Sequence, residues 1–423
     1  MDLGRRGLRR RLATFALGAA VGISLIPVAA IRADAATTDG ESGSGPAALG
    51  GAAVDALART TTIRWSDLTS SDAWAKAAID YVAGANRWMR DYRANDDGTY
   101  RFKPGRLETR KLFARAVVRA FAPDEPIDPS ITFGDLDRSS RFYPFANVAV
   151  KLGWMHVDRH GDLGVRKPVS TVYVHKALVL ALGLKDTAAS IDAMHMTDGT
   201  PFRTPRHLGT TMLGMRLGLR YNNKDEAMDV LPRTKLPRAQ VAYSLYRAAT
   251  LDAWDVSYLR AQYADMTLPN MGPGREAILE WGLRYVGYPY VWGGEWGFKS
   301  AEPGALGGQP IPGFDCSGLT WWLLRADDGG AWEVAPPRPY AGWSLPQRTS
   351  YDMARLGHLS YADLKPADIM FYDGDGDGTV DHVDTYVGNG WALDSSSSVG
   401  GVTVMWVGDG WYRDHFVHGR HVV

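Results

Sequence analysis

The sequence contains one thiol, Cys316, among 423 residues. A chain with a single cysteine cannot form an internal disulfide, so the thiol is either a buried bystander or a reactive group. Its neighbours favour reactivity. Cys316 lies in Gly313-Phe314-Asp315-Cys316-Ser317-Gly318-Leu319-Thr320, and the apolar residues Leu319, Trp322 and Leu323 then recur at helical spacing. Asp315 and Ser317 are residue types that suit a helix N-terminus. Cys316 is therefore expected where unpaired amides and the helix dipole favour a negative charge. The thiolate, not the thiol, is the nucleophile.

A thiolate nucleophile needs a base. His382 opens an alternating stretch, His382 to Gly388, that reads as a strand and follows a second strand-like run, Ile369-Met370-Phe371-Tyr372. The two are expected to form a hairpin. Asp394 follows the turn Gly388-Asn389-Gly390, which brings it back opposite His382. A carboxylate there would fix the imidazole tautomer and stabilise its cationic form. Asp384 shares a strand face with His382 and is the competing candidate for this orienting role. Taken singly, a lone Cys is more often inert core and a lone His a surface or satisfied core group. Order and surroundings raise the case for chemistry.

The loop between the two strands carries Asp373, Asp375, Asp377, Asp381 and Asp384, with Gly378 and Val380 between them. That spacing resembles a calcium loop, except that Asp stands at the last position and the flanks read as strands. If His382 points at Cys316, Asp384 points the same way and is poorly placed to ligate. Two readings remain open: a solvated hairpin tip, or a structural calcium ion held by Asp373, Asp375 and Asp377. The reaction itself requires no cofactor.

The elements that must position these groups begin at Arg275, after a break at Leu268-Pro269-Asn270-Met271-Gly272-Pro273-Gly274. Upstream, three stretches share one layout: a loop with Asp or Gly, a Pro, then an amphipathic helix. In the first, Leu112, Phe113, Ala116, Val117 and Ala120 give one apolar face. The first and second are preceded by another helix, and pairs of short helices at a period of roughly sixty residues suggest one supersecondary unit used three times. Residues 36–60 are small, polar and Gly-rich, a flexible tether. Residues 1–35 combine a basic leader, an apolar run and Ala33-Asp34-Ala35, and read as a secretory signal peptide whose removal leaves no membrane span. A retained anchor is the alternative. Formal net charge is zero, so no basic excess is available to neutralise phosphates, and no nucleic-acid partner is indicated.

From Arg275 onward the chain resembles the NlpC/P60 family of papain-like peptidoglycan hydrolases, through Tyr288-Pro289-Tyr290-Val291-Trp292-Gly293-Gly294, Phe314-Asp315-Cys316-Ser317-Gly318-Leu319-Thr320, Leu364 to Tyr372, and His382 to Gly390. The resemblance implies an α+β domain over 275–423, a helix packed on an antiparallel sheet. It implies a cysteine peptidase with Cys316 as nucleophile, His382 as base and Asp394 in the orienting position, where the family usually has His, Asn or Gln. It places Tyr290 beside the nucleophile, and Asp315 and Ser317 with it as substrate-binding residues. The substrates it implies are peptidoglycan stem peptides, cut next to D-glutamate and meso-diaminopimelate. An amidase or acyl transferase on the same fold, and an inactive wall-binding protein, are the rival readings. Residues 61–268 resemble S-layer homology repeats, through Asp96 to Pro104 and Thr109-Arg110 in the first unit, Thr171 in the second and Pro237-Arg238 in the third. That resemblance implies an all-α domain that binds a secondary cell-wall polysaccharide. The whole is expected to be secreted and associated with the cell wall.

Overall fold

The computed structural model describes residues 63–297, 309–325 and 345–423. The expected signal peptide and tether, residues 1–60, lie outside these residues.

Residues 63–262 are helical. Three pairs of helical segments follow one another. The first pair is Ser70–Ala75 through Asp80–Ala85 with Arg110–Phe121, the second Tyr143–Lys151 with Thr171–Ala181, and the third Leu208–Arg216 with Arg238–Ala249. Phe113, Ala116 and Val117 are fully buried, with Leu112 and Ala120 packed against the core, so the expected apolar face is the one buried. The residues just before each second helix meet one another. The Glu108 amide donates to Leu236 O, the Leu236 amide to Val169 O, and the Val169 amide to Glu108 O. This closed backbone circuit relates the three units around a common centre and satisfies groups that would otherwise be orphaned. Arg238, fully buried beside it, donates to the carbonyls of Phe102 and Met89 and pairs with Asp91 and Glu108, both at 2.6 Å. Burial pushes the Glu108 carboxyl up to about 7, although Arg238 opposes it.

The C-terminal part begins with helix Pro273–Leu283. It is built on a five-stranded antiparallel sheet of β5 (Ile369–Tyr372), β6 (His382–Gly388), β7 (Trp391–Ser396), β8 (Gly401–Trp406) and β9 (Phe416–Arg420), in the order β8-β7-β6-β5-β9. The helix Cys316–Leu324 packs on β6 and β7 with Leu319, Trp322 and Leu323 buried, as its periodicity predicts. β5 and β6 form the expected hairpin, pairing Ile369 with Thr385 and Tyr372 with His382. The β6–β7 turn needs positive φ at Gly388, Asn389 and Gly390 in succession, which explains its glycines.

The break at 269–274 joins the two parts without separating them. Strands β1 (His195–Met196) and β2 (Thr267–Leu268) pair in parallel just ahead of it. Buried Arg220, of the third helical unit, donates to the carbonyls of Val230, Gly287 and Gly400, the last two in the sheet domain. Tyr263 donates to Val404 O at 2.9 Å. No helix among the described residues is long and apolar enough to cross a membrane.

Three buried carbonyls lose their donor if Arg220 becomes Met, and each orphaned acceptor costs about 1–3 kcal/mol. Arg220→Met should destabilise the protein by about 3 kcal/mol or more, read as a lower denaturant midpoint. An unchanged midpoint would show that Arg220 does not hold the two parts together.

Candidate active site

Cys316 is the first residue of its helix, and Asp315 is the N-cap. The Asp315 carboxylate accepts the Gly318 amide, closing the helix end as the residue types predict. The thiol is half-buried. Gly318 leaves no room for a Cβ, because the helix end lies directly against the Gly294 carbonyl. The aromatic-glycine turn is thereby seated on the first turn of the helix.

A residue far along the chain locks this arrangement. The Arg348 guanidinium, almost fully buried, donates to Glu295 Oε2 at 2.6 Å, to Ser317 Oγ at 2.8 Å, to both Asp315 oxygens at 3.2 Å and to Gly294 O at 3.2 Å. Glu295 belongs to the short strand β3 (Glu295–Trp296), which pairs with β4 (Gly313–Phe314) immediately before Cys316. Asp315 and Ser317 are each 5% exposed. Their oxygens are committed inside the protein, so they hold the helix end in place and present no open surface to a substrate.

His382 stands at the start of β6 with Cys316 beside its ring, and its side chain is 15% exposed. Nε2 lies 3.2 Å from Oδ1 of Asp394 and equally 3.2 Å from Oδ1 of Asp384. Both carboxylates are fully buried. The expected Cys, His and Asp394 are brought together, and Asp384 joins them from the same strand face. Burial pulls the His382 pKa down, but Asp384 and Asp394 more than offset it, so the imidazole pKa stands well above its ordinary value. Burial and the neighbouring Asp394 push the Asp384 carboxyl up to about 7. Asp394 is held below the usual carboxylate range: burial works against this, but His382 and Ser396 overcome it. The Tyr412 hydroxyl donates to Asp394 Oδ2 at 3.2 Å. Tyr372 covers the cluster with its ring 5.6 Å from that of His382.

Tyr290 lies among Cys316, Asp315 and His382, and burial with the first two holds its phenol protonated. Beside it, Trp292 is 76% exposed. The Trp292 amide donates at 2.9 Å to Glu226 of the third helical unit, so the helical part reaches the rim of the site. Sequence reasoning missed Arg348, Glu295 and Glu226, whose partners are remote in sequence.

The hairpin tip gathers Asp373, Asp375 and Asp377, with one oxygen of each lying within 4.8 Å of the others. Asp373 accepts the amides of Gly376 and Gly378, Asp375 that of Asp377, and Asp377 that of Thr379. Asp381 accepts the Gly374 amide instead of joining them, and Asp384 is buried at His382. The full calcium-loop spacing is therefore not realised, because β5 and β6 flank the loop where helices would be needed.

Residues 287–421 match the family model described as "NlpC/P60 family". Among curated relatives, the chain is 36% identical over 120 residues to peptidoglycan endopeptidase RipB of Mycobacterium tuberculosis, covering 28% of this chain and 42% of that protein. It is 29% identical over 143 residues to the bifunctional muramidase/DL-endopeptidase CwlT of Bacillus subtilis, covering 34% and 35%. A solved structure of the peptidoglycan hydrolase RipB from Mycobacterium tuberculosis is 28% identical, covering 37% of this chain and 75% of that one, with a TM-score of 0.24. The chain spans less than half the length of these curated relatives. The match to the NlpC/P60 family thus falls on the domain built from an antiparallel sheet carrying helices, and the two curated relatives bear the names of a peptidoglycan endopeptidase and a bifunctional muramidase/DL-endopeptidase.

Arg348→Met removes the guanidinium that both oxygens of buried Asp315 accept from, a class of loss that costs about 3–5 kcal/mol. Denaturant unfolding should show that loss. Arg348→Lys should recover little of it, since one ammonium cannot reproduce the fork of contacts. Full recovery by Lys would mean that charge alone, not geometry, matters there.

Proposed function

We propose that this protein is a secreted cell-wall hydrolase that cleaves peptide bonds in peptidoglycan stem peptides of the D-glutamate/meso-diaminopimelate type. Cys316 is the nucleophile, His382 the base, and Asp394 the group that orients the imidazole. The observation that carries the reading is the meeting of the chain's single thiol, at a helix N-terminus, with an imidazole backed by buried carboxylates. The family match over 287–421 and the relatives' names support the substrate class.

With Nε2 turned to the carboxylates, Nδ1 of His382 is the nitrogen that serves the thiol. It takes the thiol proton as sulfur attacks the carbonyl carbon, then gives it to the departing amine. Water releases the acyl group from sulfur by the same relay. An acyl transferase would share these steps and differ only in the acceptor, so product analysis separates the two. The N-terminal leader supports export. The three helical units with their shared backbone circuit support a wall-binding role of the S-layer homology kind, with a secondary wall polysaccharide as ligand. The Asp373, Asp375 and Asp377 cluster is read as a structural calcium site, because carboxylates this close repel unless solvent or a cation screens them.

Mass spectrometry of muropeptides digested with wild type and with Cys316→Ala should show new stem-peptide cleavage products for the first alone. Residual hydrolysis of a few per cent or more by the Ala variant would sink the assignment of the nucleophile. A separate measurement addresses the hairpin tip. Millimolar calcium should raise the melting temperature, and Asp375→Asn should abolish the rise; no calcium-dependent shift in wild type would remove the site.

A further inference from the structure

Asp384 and Asp394 are an unusual pair to bury together. The β6–β7 register that pairs Thr385 with Leu393 places Asp384 directly opposite Asp394, on the face that carries His382. Like charges directly opposite across two strands repel, and here no solvent screens them. Their separate contacts with Nε2 are equal at 3.2 Å, longer than the roughly 2.7–2.9 Å of a charge-assisted hydrogen bond. One N–H cannot point along both. Asp394 accepts from Tyr412 through Oδ2, whereas neither Asp384 oxygen, like Asp394 Oδ1, meets a well-aligned donor among the described residues, although Tyr372 faces Asp384. Two full negative charges would leave Asp384 buried and uncompensated. One proton held between the carboxylates removes both the repulsion and the orphaned acceptor.

We propose that Asp384 is a second positioning residue for His382, forming with Asp394 a carboxylate pair that shares one proton behind the base. The inference rests on the reading of Cys316 and His382 given above. Below neutrality the pair carries one negative charge, enough to hold the ring with Nε2–H inward. As pH rises the shared proton leaves, and a second negative charge then favours the imidazolium and, with it, the ion pair with Cys316. This places the loss of the proton near neutrality, in keeping with Asp384 being pushed up to about 7. The other groups facing the cluster are Cys316, Tyr290, Tyr372, Tyr412, Ser396 on β7 and Arg216 of the third helical unit. The Tyr372 and Tyr412 phenols are pushed up by burial and stay neutral through this range.

Because Cys316 is the only cysteine, its alkylation by iodoacetamide reads this site without any substrate. Rates would be measured against pH, with a chelator present, for wild type, Asp384→Asn, Asp394→Asn and the double variant, and kcat/KM alongside. The sign is fixed. Asp384 is protonated at low pH, so Asp384→Asn leaves the acid limb unchanged. At high pH the variant lacks a negative charge that wild type has, so the imidazolium loses its proton sooner and the alkaline step moves down by about one pH unit. Each single Asn variant should keep about a tenth or more of kcat/KM, since the remaining carboxylate takes over. The double variant should fall by about a thousandfold or more, well beyond the roughly hundredfold product of the two single losses. A profile for folded Asp384→Asn that superimposes on wild type, or a double variant no worse than Asp394→Asn, would overturn the proposal. If wild type cleaves no stem peptide yet the alkylation profiles move as stated, the functional reading fails and the carboxylate pair stands. Should Asp384→Asn not fold, the His382 ring nitrogens of wild type, followed by 15N NMR, must titrate in two steps, and a single step excludes the shared proton.

Discussion

The site depends on one constraint: a thiol on a helix and an imidazole on a strand must meet, although nothing local in the chain joins them. The Arg348 guanidinium is what makes the helix end a fixed object. It reaches the cap residue Asp315, its neighbour Ser317, the turn carbonyl of Gly294 and the strand carboxylate of Glu295. A planar fork can serve several acceptors at once in a way an ammonium cannot. With the helix end pinned, the burial of Leu319, Trp322 and Leu323 against β6 and β7 sets its distance from the sheet, and the sheet register sets where His382 stands.

The same device, a buried arginine serving carbonyls and carboxylates, recurs through the molecule. Arg238 closes the centre of the three helical units, and Arg220 joins the third unit to the sheet domain. Buried ion pairs add little net stability compared with apolar packing, but removing one member is expensive. They therefore act mainly to specify geometry. The consequence for the site is direct: with Arg220 in place, the segment carrying Glu226 is held against the Trp292 amide, and the helical part forms one edge of the surface around Cys316. The half-buried Glu226 carboxylate, from a separate supersecondary unit, thereby stands near Tyr290 on the side where Cys316 lies.

The sheet supplies the electrostatics. Strand alternation puts His382 and Asp384 on one face, and antiparallel pairing brings Asp394 to the same place from β7. Burial raises the cost of every charge there, so the imidazole, two carboxylates and two tyrosines must be considered as one titrating unit. Their mutual placement, not any single residue, decides which groups are charged at neutral pH.

Much of this was legible in the sequence because the signals are local. Helical spacing after Cys316, a capping residue before it, alternation from His382 and a glycine-rich turn before Asp394 each depend on neighbours a few residues away, and each element formed as those patterns dictate. The shared face of His382 and Asp384 followed from strand geometry as well. Other features depended on contacts between distant positions. Asp315 and Ser317 look like residues available to a ligand until Arg348, more than thirty residues later, occupies their oxygens. The spacing of the Asp/Gly loop suggests a full set of calcium ligands until the flanking strands turn Asp381 and Asp384 away. The equal approach of Asp384 and Asp394 to one imidazole nitrogen was likewise settled only by tertiary structure. Residue type and spacing determine which chemistry a segment can offer, whereas partner, burial and charge state are set by which remote groups the fold packs against it.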